Sequence, residues 1–165
     1  MKTSITLALI GAFILGTGGL LFFVNSNRVA SGIAVGDTAI NLKFTTVDGS
    51  TFNLGDQRGK VVVVNFITTS CSVCVEEFKV LKQLESDGSV VLVSVNVDSV
   101  GLSDLQLFAR YYGLSWVVGG SQQAGVDFKV SGVPTLLVID RGGVIRYRGY
   151  FTNFGQLNQV ISQYA

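Results

Sequence analysis

The chain of 165 residues contains no histidine. That absence removes Ser-His and Cys-His catalysis, histidine-ligated metals and imidazole proton shuttles. Cysteine is nearly as scarce, with two residues. A structural zinc site takes four Cys or His ligands, so two thiols would need a second subunit to complete one. Proline occurs once, at Pro134. Charged residues make up 14% of the chain, and the net charge is +1. Such a balance gives no reason to expect nucleic acid or an acidic partner.

What is abundant is apolar. Residues Ile5 to Val24 read ITLALIGAFILGTGGLLFFV. The run is uncharged and long enough to cross a hydrocarbon core of ~30 Å as a helix. Residues 1–24 are therefore expected to be a transmembrane anchor, with the rest of the chain on the far side. A cleaved signal peptide is the alternative, with a weak small-residue site near Val29-Ala30-Ser31. Residues 25–36 read as a polar linker and 37–165 as one domain.

Within that domain, Leu42 to Val47 alternates, meets Asp48-Gly49 and resumes at Thr51 to Leu54. This predicts a β-hairpin. The runs VVVVNFI after Lys60 and VVLVSVNV over Val90 to Val97 predict strands buried on both faces. Helices are predicted from Ser72 to Ser86, from Ser103 to Tyr112 with Ser103 as N-cap, and from Gln122 to Val130. Thr135 to Ile139 and Val144 to Tyr150 read as paired strands about the Arg141-Gly142-Gly143 turn. Asn153 caps a closing helix that presents Leu157, Val160, Ile161 and Tyr164 on one side. Strands alternating with helices predict an α/β fold, a central sheet covered by helices on both faces.

Both cysteines fall in TTSCSVCVEEF, residues 68–78. Cys71 follows a buried strand and precedes a helix, where free N–H groups and the helix dipole favour a thiolate. Cys74 is one turn further in, within reach and more buried. That asymmetry suits two-step exchange, with Cys71 attacking a disulfide and Cys74 resolving the mixed disulfide. The competing reading is a structural staple, but so short a loop gains little entropy from closure.

The segment GKVVVVNFITTSCSVCVEEF resembles the redoxin segment of membrane-anchored thioredoxin-like proteins, the TlpA/ResA group. VSGVPTLLVIDRGGVIRYRGY resembles the same group's cis-proline segment and closing hairpin. The resemblance runs from about Val35 to the C-terminus. It implies a thioredoxin-like fold with a central mixed β-sheet flanked by helices and an N-terminal β-hairpin. It also implies a cis Val133–Pro134 bond beside the dithiol, with Val133 offering backbone to a substrate chain and Thr135 supporting the turn. Two departures stand out. Ser70 occupies the place of the group's tryptophan before the first cysteine, which makes the rim beside the substrate less hydrophobic. The dipeptide between the cysteines, Ser72-Val73, lacks proline.

Glu77 is out of place by pattern. At ~100° per residue it falls inside the apolar arc of Cys74, Phe78, Leu81 and Leu84. Glu76 points away, with Lys79 three residues on. Burial raises a carboxyl pKa, so Glu77 is a candidate for handling the Cys74 proton. A glutamate snorkelling from the edge of the arc to water is the alternative. The TlpA/ResA group has a glutamate at this place, whereas thioredoxins proper carry a buried aspartate on the preceding strand. The matching residue here is Asn65, which does not titrate.

These readings converge on an extracytoplasmic thiol–disulfide oxidoreductase, membrane-anchored or else cleaved and secreted. It would exchange disulfides with cysteine pairs of exported proteins, as a reductant, without cofactor or metal, fed by a membrane redox donor. Cys71, Cys74 and Glu77 are its candidate catalytic residues. Ser70, Val133, Pro134 and Thr135 are its candidate substrate contacts. A peroxidase is the second reading, because Thr68 lies three before Cys71; Val64 stands where such enzymes carry proline. A Cu(I)-carrying module is the third, since two thiolates hold soft metal.

Overall fold

A computed structural model describes residues 31–86, 88 and 90–165. The expected anchor over 1–24 lies outside them. Among the described residues, no helix is long and apolar enough to cross a membrane. Ser31–Ala165 forms one compact unit.

Two strand pairs precede the redox segment. β1 (Ser31–Gly32) pairs in parallel with β2 (Thr38–Ala39), so part of the stretch expected to be a linker is built into the domain. β3 (Lys43–Thr46) and β4 (Thr51–Asn53) form the hairpin, with Phe44 opposite Phe52. A 3-10 turn (Leu54–Gln57) follows.

β5 (Val61–Ile67) is buried at every position. It pairs in parallel with β6 (Val90–Asn96) and antiparallel with β8 (Thr135–Ile139). β7 (Val117–Gly120) lies beyond β6, and β9 (Ile145–Gly149) lies beyond β8. The mixed seven-stranded sheet runs β4-β3-β7-β6-β5-β8-β9.

Alternation along β5 divides the core. Val62, Val64 and Phe66 pack with Phe128, Phe44 and Leu137 on one face. Val61, Val63 and Ile67 face α1 (Ser72–Glu85) and α4 (Phe154–Ser162) on the other, meeting Cys74, Phe78, Leu81, Leu157 and Ile161. α2 (Leu102–Tyr111) adjoins α1 through the rings of Phe108 and Tyr112 against Phe78. α3 (Gln122–Asp127) covers the first face with Ala124.

Three local readings change. The N-cap of α2 is Gly101, whose carbonyl accepts the Leu105 amide, so the helix begins ahead of Ser103; Asp104 places a carboxylate in its first turn. α3 stops at Asp127, three residues early, because Lys129 turns to φ 47° and the Val130 amide closes back on Gly125. β7 is a strand that the sequence pattern does not predict. Its four residues, Val-Val-Gly-Gly, are too few and too glycine-rich to show a strand period.

The chain enters the sheet at a defined end. Gly36 donates to the Ile145 carbonyl, Ile145 to that of Asp37, and Ala39 to that of Gly143. These bonds sit at the start of β9. The dithiol lies at the opposite end, past the last residue of β5.

Gly119 lets β3 approach β7, for a methyl there would collide with the Phe44 ring and the Thr45 carbonyl. Gly119→Ala should cost ~1–3 kcal/mol, since a backbone carbonyl gives way less readily than a side chain. A lowered urea midpoint, with the disulfide intact in both proteins, is the expected result.

Candidate active site

β5 delivers the chain to the dithiol with no slack. After Ile67 the Cys71 amide donates to the Thr68 carbonyl, and the Thr69 hydroxyl reaches Asp98 Oδ2 at 3.4 Å in the loop after β6. Cys71 then caps α1. Its φ/ψ of −86°/101° is extended, and its Sγ accepts the Cys74 amide at 3.1 Å. A sulfur takes the place that a serine or aspartate oxygen usually fills at a helix start. The same amide and dipole favour sulfur as thiolate once the pair is reduced.

Cys71 and Cys74 are joined in a disulfide, with S–S 2.07 Å and Cα–Cα 5.3 Å. Cys71 is half-buried and Cys74 fully buried, while Ser70, Ser72 and Val73 are exposed around them. An incoming sulfur therefore meets Cys71 first.

The proline loop comes to the same end of the sheet. Thr135 pairs with Phe66, which puts Pro134 level with Ile67. The Val133–Pro134 bond is cis. Thr135 donates its hydroxyl to the Gly132 carbonyl at 2.6 Å. Val133 and Cys71 pack, half-buried, against one apolar cluster, and Pro134 is buried. The expected site residues thus gather at one place, with Ser70 at its outer edge.

Glu77 is wholly buried beneath this site, one turn after Cys74. Neither of its oxygens has a hydrogen-bond partner of ordinary geometry among the described residues. Burial pushes its pKa up from 4.5 to about 7, against a smaller opposing pull from the Thr152 amide. Glu76, its neighbour, is exposed and pairs with Lys79 Nζ at 2.6 Å. Snorkelling to water does not describe Glu77.

Polar company lies on the same interior face. Asn65 is fully buried on β5, and both of its side-chain polar atoms lack partners among the described residues. Ser94, opposite it on β6, accepts the Trp116 indole N–H at 2.9 Å. Sequence reasoning missed Ser94, Trp116 and Thr152. The serine interrupting VVLVSVNV was a usable signal, whereas Thr152 is brought in only by tertiary packing. Val64 is bonded into β5 between Val93 and Leu137, a place where proline would break the ladder. Among the described residues, no three His, Cys, Asp or Glu side chains gather as metal ligands.

The model of the Redoxin family matches residues 34–160. The chain belongs to the redoxin family. It is 30% identical to the thiol-disulfide oxidoreductase ResA of Geobacillus kaustophilus, over 88% of this chain and 83% of that protein. It is 28% identical to the thioredoxin-like protein YneN of Bacillus subtilis, over 81% of each. Its fold matches a crystal structure described as a thiol:disulfide interchange protein DsbE of Chlorobium tepidum. That match has a TM-score of 0.71 at 23% identity and covers 80% of this chain and 98% of the other. With its paired cysteines, this redoxin-family chain is an oxidoreductase of the thiol–disulfide class.

The raised Glu77 pKa makes stability depend on pH. Below pH 4.5 the carboxyl is protonated in folded and unfolded chains alike. From there to about 7 the unfolded chain ionises first, so stability falls as pH rises; above about 7 the fall ends. Its size is on the order of 3 kcal/mol at 1.36 kcal/mol per unit. Glu77→Gln should flatten that decline, read as urea midpoints of both oxidised proteins across the range.

Proposed function

We propose that the protein reduces disulfides in exported proteins from an extracytoplasmic position, held to the membrane through residues 1–24. The observation that carries the reading is a half-exposed Cys71 at a helix start, bonded to a buried Cys74 one turn from a buried carboxyl. In the reduced protein the Cys71 thiolate attacks one substrate sulfur. The substrate S–S bond breaks, a mixed disulfide forms, and the second substrate sulfur leaves as thiolate. Cys74 gives its proton to the Glu77 carboxylate and attacks Cys71 Sγ. The substrate's first sulfur then leaves, and the Cys71–Cys74 disulfide remains. Two electrons have passed to the substrate, and an external thiol donor at the membrane restores the dithiol.

Glu77 suits the proton step because its pKa of about 7 lies near neutrality, where it both takes and returns a proton. Val133 and Pro134 lie beside Cys71 as a place for a substrate backbone, with Thr135 holding the turn and Ser70 leaving the rim open.

Trapping tests the order of attack. Cys74→Ser should accumulate mixed disulfides through Cys71, whereas Cys71→Ser should accumulate none. If neither variant traps a partner and both leave disulfide reduction unchanged, the reading fails. The direction of electron flow is tested by the potential of the couple in glutathione buffers. A value of about −270 mV, in thioredoxin's range, supports a reductant, and about −120 mV overturns that direction. In single-turnover reduction, Glu77→Gln should slow resolution by about 10²-fold and remove the inflection near pH 7.

A further inference from the structure

The end of the sheet opposite the dithiol collects cations. Arg58, Lys60 and Arg141 are all exposed there. The Gly59 amide donates to the Arg141 carbonyl at 2.9 Å, which ties the turn before β5 to the turn between β8 and β9. The Arg58 guanidinium lies over Gly143 of that second turn, in the space a Cβ would take. Lys60 and Arg141 line a cavity of about 380 Å³ together with Gly59, Val61, Gly88 and Val90. Among the described residues no carboxylate lines this cavity, and none of the three cations is in an ion pair. Two acids of this end are engaged elsewhere. Asp140 accepts from Arg146 Nε at 2.7 Å, and Asp37 accepts the Ala34 amide at 3.0 Å. Asp56 is exposed in the 3-10 turn, and Asp87 lies outside the described residues.

Like charges held on two tied turns repel one another, and an anionic partner turns that cost into attraction. Arg58 stands outside the cavity, so the charge extends beyond what a single small ion covers. Ser31 stands at this end as well. Its partner Thr38 bridges to Val144, and the Ala39 amide donates to the Gly143 carbonyl. Residues 25–30 join Ser31 to the apolar run Ile5 to Val24 and, even fully extended, reach only ~20 Å. A bilayer that holds this run is therefore within reach of the three cations.

We propose that Arg58, Lys60 and Arg141 form a docking face for the phosphate headgroups of an anionic lipid surface. The inference rests on the membrane-held reading above and adds the lipid class that the domain recognises. Headgroup oxygens enter the cavity between Lys60 and Arg141, and Arg58 meets a neighbouring headgroup. Attraction of this kind is electrostatic, so it weakens as salt screens the charges. In the docked state the other end of β5, which carries Cys71, is turned away from the lipid.

The test uses the full-length chain in nanodiscs of phosphatidylcholine, with or without phosphatidylglycerol, each carrying a trace of dansyl-labelled headgroups. Energy transfer from Trp116, the single tryptophan of the chain, reads the share of domains lying on lipid. Transfer should rise when phosphatidylglycerol is present and fall back in high salt. Those two comparisons need no variant. Lys60→Gln and Arg141→Gln should each lower the docked-to-free ratio about fivefold, the effect of ~1 kcal/mol per cation near an anionic surface. Lys60→Arg, which keeps the charge, should hold the wild-type ratio. Wild-type transfer that ignores phosphatidylglycerol or salt, or that is undiminished in the two glutamine variants, overturns the lipid face while the anchor stands. Inorganic phosphate that abolishes transfer where potassium chloride of equal ionic strength does not assigns the cations to a free anion and likewise overturns it. A chain that washes away from the nanodiscs overturns the membrane-held reading and takes the lipid face with it.

Discussion

Strand β5 meets water on neither face and is bonded along both edges. Such a strand can be built only from residues that tolerate complete burial, which is why it reads VVVVNFI. Because its ends are fixed by its neighbours, so is the place where the chain leaves it. Ile67 is the last residue held, and Cys71 begins a helix four positions on. The proline loop is positioned by the same strand, through the pairing of Phe66 with Thr135. Parts of the site that are distant in sequence are therefore referred to one common ruler.

The helix-facing side of that strand is unusual in what it tolerates. Asn65, Ser94 and Glu77 are all fully buried among valine, leucine and phenylalanine. Trp116 satisfies Ser94, yet Glu77 and Asn65 keep polar atoms without ordinary hydrogen-bond partners among the described residues. A core selected for stability alone would fill these places with apolar groups. Polarity buried under the disulfide costs stability, and that cost shows in the raised pKa of Glu77.

Much of this was legible in the sequence because it is written in local patterns. Continuous β-branched runs marked β5 and β6, and the cysteine spacing together with VPT marked the redox end. Glu77 stood out because one carboxylate broke an apolar arc while its neighbour did not. Harder to read were features that depend on distant partners. β7 is a strand because β6 and β3 lie on either side of it, and its own Val-Val-Gly-Gly says little. Helix ends drifted where backbone geometry, at Gly101 and Lys129, outweighed side-chain preference. The contact of Tyr150 with the proline loop, through the Ser131 hydroxyl, is likewise made only by the folded chain.

The bonds from Gly36 and Ala39 to the start of β9 give the domain a rear and a front. Ser31, where the described chain begins, pairs with Thr38 at the rear. Cys71 and Pro134 stand at the front, the full length of β5 away. The first described strands are thus tied by backbone bonds to residues 143–145, and the end that carries the dithiol takes no part in holding them.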